Sequence, residues 1–221
     1  MKKKNIGNLS ATFCFLAAFI LWTIAITRLD VQPIGPDGST VGFATINSFF
    51  HNLTGVHMLL YSLTDWLSLV PIAFMLGFAL LGLAQWIKRK SILMVDRSIL
   101  LLGGFYILTL AVYLFFESFI INYRPIRIEG VLEASYPSST TMLVICVMTT
   151  AGMRLHRRIR DSALRKGITA IIAAFTALMV IGRLISGVHW LTDIIGGALL
   201  SAGLIMLYHS VIAFWKGNEN E

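Results

Sequence analysis

Charge is what this 221-residue chain has least of: 13% of its residues are charged while 57% are hydrophobic, and acidic side chains number only 11. A soluble domain carries about twice that charged fraction, so an ordinary water-facing surface is excluded. Cysteine is nearly absent too. Cys14 and Cys146 both fall inside apolar runs, where a thiol packs as a small hydrophobe, so neither a disulfide nor a metal site is expected. Linkers, low-complexity tracts and breaks in composition are also missing. Residues 1–221 therefore read as a single membrane domain, with 1–96 as its N-terminal part and 97–215 as its core.

What the chain does have is hydrophobic length. About 20 apolar helical residues cross a bilayer core of about 30 Å. Six such runs stand at approximately 9–27, 66–87, 98–121, 139–155, 168–186 and 190–215, which predicts an all-α polytopic membrane protein with six transmembrane helices. The first run follows Met1-Lys2-Lys3-Lys4, but Arg28-Leu29-Asp30 stands where a signal-peptide cleavage site would be. It reads as a retained signal anchor.

Placed on these runs, the formal charge of +7 becomes a topology signal. Fourteen Lys and Arg lie at the N-terminus, after runs two, four and six, or just before run three, and Arg28, Arg124, Arg127 and Arg183 are left for the other side. The positive-inside bias puts both termini in the cytoplasm of a multi-pass cell-membrane protein. The basic tract from Arg154 to Arg160 is a solvated loop beside anionic lipid, and no nucleic-acid partner is expected. Short loops and a compact chain suit a bacterial inner membrane.

The longest outer segment, 28–56, carries turn signals at Pro33, Gly35, Pro36 and Gly38. From Val41 to Leu63 the pattern is amphipathic, fit either to lie on the outer surface or to lead into run two. Gly55-Val56-His57 echoes Gly187-Val188-His189, each followed by a Thr-Asp pair. Only His189 and Asp193, four residues apart, share a helical face. The first copy reads as coincidence, with Asp65 an interfacial helix residue.

With that topology, costly polar residues gather at one depth. Arg124 sits at the outer mouth of run three, Ser138, Ser139 and Thr140 at the outer start of run four, Arg183 in the last turn of run five, and His189 and Asp193 in the first turn of run six. Ionisable groups within a span usually face a cavity or a partner; the bland alternative is that Arg183 and Asp193 pair with each other. A carboxylate one turn from a His fixes its tautomer and leaves the other ring nitrogen free as a nucleophile. Guanidinium forks and a helix N-terminus suit phosphate oxygens. Together they point to phosphoryl transfer at the outer ends of helices 3 to 6.

These residues resemble the type-2 phosphatidic acid phosphatase superfamily of membrane lipid phosphatases, which shares its site with vanadium haloperoxidases. Of its three motifs, Ser-Arg-x5-His-x3-Asp is matched by Arg183, His189 and Asp193, with Gly182 in place of Ser. Lys-x6-Arg-Pro is half matched by Arg124-Pro125, with Glu117 in place of Lys. Pro-Ser-Gly-His is altered to Pro137-Ser138-Ser139-Thr140. The resemblance covers roughly residues 97–215.

The resemblance implies that His189 attacks phosphorus to form a phosphohistidine and that Asp193 orients it. Arg124 and Arg183, helped by Ser138 and the amides of Ser139 and Thr140, would hold the phosphate, with no metal or cofactor. The family's missing His protonates the leaving oxygen and its missing Lys binds phosphate. Loss of an acid costs typically about 10²- to 10⁴-fold with a basic alkoxide, and less when a phosphate monoester departs. A lipid diphosphate such as a polyprenyl diphosphate is the favoured substrate. Glu117 is expected to point to water or to pair with Arg124 or Arg183, and one of Ser139, Thr140 and Thr141 to cap run four. The rival is a degenerate member that binds a lipid phosphate or a membrane partner without chemistry. A transporter is disfavoured, since no charge relay crosses the middle.

Overall fold

The computed structural model describes residues 2–218 and is helical throughout. Its α-helices, in chain order, are α1 (Lys2–Arg28), α2 (Ala44–Thr54), α3 (Met58–Leu67), α4 (Leu69–Arg89), α5 (Arg97–Ser118), α6 (Ser139–Arg158), α7 (Ser162–Ile185) and α8 (Leu191–Asn218). Among the described residues extended pairing is confined to three isolated bridges in the outer loops, including Gln32 with Val41 and Tyr123 with Ala134.

Five stretches are long and apolar enough to cross a membrane: Gly7–Arg28, Met58–Arg89, Arg97–Ser118, Ser162–Ile185 and Leu191–Trp215. The chain is thus a multi-pass membrane protein. The second stretch is longer than the expected 66–87 because α3 and α4 follow one another with only Ser68 between them. The amphipathic segment before it divides in two: α2 is a separate short helix, and α3 leads into the span.

The fourth expected run, now α6, is absent from the five, and its packing explains why. Met142, Val144, Cys146, Val147, Met148, Thr150 and Ala151 are all buried, because α6 is packed between α7 and α8 and also against α4. A helix enclosed by other helices has little lipid to satisfy and can carry polar residues that bond internally. Thr150 does so, donating to the Cys146 carbonyl at 2.8 Å. The peripheral helices show the opposite distribution, with Phe13, Leu21, Ile107, Leu114 and Ile171 all exposed to the surroundings.

One aromatic cluster ties the outer halves of the helices together. Phe19 of α1 stacks on Tyr136 with ring centroids 6.1 Å apart and meets Phe116 of α5 edge-on, and the Tyr136 hydroxyl bonds Thr23 of α1 at 2.7 Å. Tyr136 lies just before α6, so this cluster sets the height at which α6 begins. Ser138 caps that helix, its hydroxyl accepting from the Thr141 amide at 3.4 Å. The cap is thus one residue before the Ser139–Thr141 group expected to supply it.

The turn from α7 into α8 is held by the segment between α2 and α3. The His57 amide donates to the Ser186 carbonyl at 3.0 Å, and Gly187 has φ +70°, with a Cβ there lying 2.0 Å from the Gly55 carbonyl oxygen. The two Gly-Val-His segments pack against each other, and only glycine fits this contact. Gly187→Ala is expected to lower stability by at least about 1 kcal/mol and to loosen the His189 turn. Thermal unfolding of the detergent-solubilised variant against wild type measures it.

Candidate active site

α8 begins at Leu191, and its first turn is anchored from several sides. Asn47 of α2 is fully buried; its amide oxygen accepts from the Thr192 N–H at 3.3 Å and its amide nitrogen donates to Thr192 Oγ1 at 3.0 Å. Trp22 of α1 donates to the Thr192 carbonyl at 3.2 Å, and Trp190 to the Tyr123 carbonyl at 2.8 Å. Asp193, at the third position of the helix, reaches back to accept the Trp190 N–H at 2.9 Å. That contact satisfies a backbone donor orphaned at the helix start.

His189 and Asp193 are both buried, with 4% and 0% exposure. They do not bond directly: His189 Nδ1 is 3.6 Å from Asp193 Oδ2, and the Ser135 hydroxyl lies between them. Ser135 Oγ is 3.1 Å from Nδ1 and donates to Oδ2 in a short contact. Because that hydroxyl proton is committed to the carboxylate, Ser135 Oγ accepts from His189 Nδ1–H. This tautomer leaves the Nε2 lone pair free. Nε2 is buried and has no partner.

The guanidinium donors near it are similarly unmet. Arg183 is 2% exposed; its Nη2 donates to Asp65 of α3 at 2.7 Å and to Thr140 Oγ1 at 2.9 Å, while Nε and Nη1 are buried without partners. Arg124 forms an ion pair with Glu133, Nε to Oε2 at 3.0 Å, and its Nη1 has no partner. Tyr61 holds both cations against one ring, with Arg183 Cζ 4.9 Å and Arg124 Cζ 5.9 Å from the centroid. Thr141 Oγ1 is a further buried atom without a partner.

All seven residues singled out in the sequence come together here. Arg124, Arg183, Ser139 and Thr140 line one cavity, Ser138 donates its backbone N–H to the Asp193 carbonyl at 3.0 Å, and both arginines act on the charge of His189. Gly182, where the family has Ser, is accounted for by packing. A Cβ there would lie 2.8 Å from the Thr64 methyl of α3.

Two expectations are corrected. Asp65 is no bystander in a chance repeat but the counter-ion of Arg183; an ionisable residue within an apolar run was the available signal. Glu117 pairs with neither arginine. α5 stops at Ser118, so Glu117 and Arg124 share no helix, and Arg124 is instead set opposite Glu133 by backbone bonding of Arg124 N–H to the Glu133 carbonyl at 3.1 Å. Ser135, Asn47 and Tyr61 carried no sequence signal that separates them from ordinary polar and aromatic residues.

The cavity has a volume of about 990 Å³. Its polar end holds the arginines, and its apolar length runs between α4 and α5 past Ile72, Met75, Phe78, Ile107 and Leu110.

The family model of the PAP2 superfamily matches residues 72–216. Among solved structures, the first transmembrane PAP2 type phosphatidylglycerolphosphate phosphatase from Bacillus subtilis is similar in fold, with a TM-score of 0.61 at 18% identity, covering 92% of this chain and 96% of that one. No curated protein matches. The chain belongs to the PAP2 superfamily.

Burial, together with the positive charge of Arg124 and Arg183, pushes the His189 imidazole down from 6.5 to about 4, against the opposing pull of Asp193. The folded protein therefore keeps His189 neutral near pH 7. Between about 6.5 and 4 the unfolded chain takes up a proton that the folded protein refuses, so stability falls as pH drops through this window. Melting temperatures measured from pH 7.5 to 4.5 are expected to decline less steeply for His189→Gln than for wild type.

Proposed function

We propose that the protein is an integral-membrane lipid phosphatase working through a phosphohistidine, with both termini in the cytoplasm and its site on the extracytoplasmic side. The observation that carries this reading is the set of unmet buried groups. The bare His189 Nε2 and the free donors of Arg124 and Arg183 ask for one ligand that is both electrophile and anion, which describes a phosphate. Membership of the PAP2 superfamily supports a phosphoric-ester hydrolase, and the apolar groove leading from the arginines supports a lipid substrate.

In the proposed reaction Nε2 attacks phosphorus as the ester bond opposite it breaks. Asp193, through Ser135, holds the imidazole and offsets the positive charge it gains. Arg124 and Arg183 bind the equatorial oxygens, where charge accumulates, and the amides at the start of α6 complete the cradle. Water then cleaves the N–P bond and releases phosphate. The guanidinium pair does the neutralising that a metal would otherwise do, so the rate is expected to survive chelators.

Thr140, at the position of the family's acid, accepts from Arg183 and cannot supply a proton at a carboxylic or imidazolium acidity. The leaving group must therefore depart without help from that position. A polyprenyl diphosphate meets this requirement, since a phosphate monoester leaves. The second reading, a protein that binds lipid phosphate without turnover, is favoured by Glu117 and Thr140 at the altered motif positions.

Phosphate release by purified protein in detergent, from a polyprenyl diphosphate and from phosphatidic acid, separates these readings. The diphosphate is expected to be turned over faster, and His189→Ala to abolish release from both. Equal background from wild type and variant would leave only binding.

A further inference from the structure

α6 starts beside Asp193 and ends at Arg158, so its last turn lies at the opposite end of the bundle from His189. A second cavity has its polar end there. Its volume is about 640 Å³, and it runs between α4 and α6 with the first turn of α5 at its base. Along α4 it is lined by Val70, Phe74, Gly77 and Leu81, a spacing that keeps to one helical face. The cavity beside the site takes Ile72, Met75, Ala79 and Gly82 of the same helix. At about 100° per residue the two sets stand on nearly opposite sides of α4. The second cavity is therefore a separate groove, which among the described residues shares only Phe78 and Ile99 with the first.

The polar end of this groove is cationic. Arg154 and Arg158 line it; the tract expected to be a solvated loop is, up to Arg158, the end of α6. Four residues apart, the two share a helical face, where like charges repel. Arg154 Nη2 donates to the Ser98 carbonyl in a short contact and to the Tyr208 hydroxyl at 3.2 Å. Both acceptors are neutral, and among the described residues neither arginine has an ion pair. The nearby carboxylates are already engaged. Asp96, within electrostatic reach of Arg158, accepts from Gln85 and Arg89, and Asp161 caps α7 through the Leu164 amide. The wall of the groove is apolar and open to the surroundings: Leu81 is 47% exposed, and a Cβ on Gly77 would meet nothing within 4 Å.

We propose that this groove holds one anionic phospholipid of the bilayer, its phosphodiester gripped between Arg154 and Arg158 and one acyl chain lying against α4. The dimensions fit. From Val70 to Leu81 the helix rises about 16 Å, about half the hydrocarbon thickness of a bilayer, which is the depth of one leaflet. Guanidinium forks match phosphate oxygens, and an anion between the two arginines removes their mutual repulsion. Basic pockets between membrane helices take anionic head groups in this way. Charge also decides among lipids. Lys88, Arg89 and Arg97 stand at the same end of the bundle, so a head group carrying its own cation, as in a choline lipid, meets repulsion that an anionic one does not. The binding calls on no group of the His189 site and stands apart from the phosphatase reading.

Native mass spectrometry of the full-length protein in detergent, with added phosphatidylglycerol or phosphatidylcholine, tests this. Wild type is expected to retain one phosphatidylglycerol at least about tenfold more tightly than phosphatidylcholine, as a charge-assisted contact gives. Arg154→Gln and Arg158→Gln should each shrink that preference. The Gly77→Leu side chain enters the groove where no neighbour stands and suits a helix better than glycine. That variant should lose the bound lipid while melting no lower than wild type, a combination that misfolding cannot produce. Arg124→Gln, in the other cavity, should leave retention unchanged. Equal retention of the two lipids, retention that survives both Arg154→Gln and Arg158→Gln, or loss on Arg124→Gln overturns the proposal.

Discussion

The end of the protein that holds the site is organised around a single desolvated cation. Arg183 sits at the end of α7 with 2% exposure, and a guanidinium buried without a partner carries a penalty of several kcal/mol. The chain meets that penalty with Asp65, Thr140 and the ring of Tyr61. The three partners come from the α3 and α6 segments, so satisfying the charge draws α3, α6 and α7 to one point. Asp65 itself is largely solvent-exposed, which keeps its own desolvation small. The pair is thus asymmetric: one member pays for burial and the other stays wet. Three of the five Arg183 N–H donors, one on Nε and two on Nη1, remain unmet because the partners approach from one side. That side-on arrangement makes the cation a receptor rather than a closed salt bridge.

The second constraint is the height of α8. Its first turn is tied to α1 by Trp22, to α2 by Asn47 and to the outer loop by Trp190. Gly196 in the next turn lets α8 approach the Tyr136 ring, where a Cβ would lie 2.4 Å from the ring carbon Cε2. Tyr136 in turn sets the start of α6. The position of His189 relative to Arg183 therefore depends on helices α1 and α2 as well. A rigid surrounding shell is what the proposed nucleophile needs, because a displacement of about 1 Å can cost about 10²-fold in rate.

Much of this was legible in the sequence, and the parts that were not share a cause. Run length and loop charge locate helices whose outsides meet lipid, since lipid imposes a composition. α6 was found by length and by its polar start, but its average composition departs from a lipid-facing helix because it meets other helices. His189, Asp193 and Arg183 were readable as one cluster because their spacing along one chain segment sets them close together. Asp65, Ser135 and Tyr61 were not, because their roles arise only from contacts between segments far apart in sequence. Of the alternatives open for Glu117, the pair with Arg124 is not formed for a local reason. It assumed that α5 continues to Arg124, whereas the helix stops at Ser118 and the chain turns into the loop that pairs Arg124 with Glu133.

That loop shows how motif departures and three-dimensional compensation differ. Thr140 replaces a proton donor and cannot perform its chemistry, yet it keeps a hydrogen bond to Arg183, so the cradle survives the change. Gly182 replaces a serine, and the room so made is taken by Thr64 of the helix that bears Asp65. Both substitutions leave the surroundings of Arg183 intact. Glu117 does the opposite: it removes a positive charge and leaves a carboxylate at the cavity with no hydrogen bond or ion pair among the described residues. A degenerate site would lose the buried, costly groups first, since nothing would then offset their desolvation. Here the buried His189 and Asp193 persist, bridged by Ser135, and Arg183 persists, paired with Asp65, while Glu117, Ser139 and Thr140 are less buried.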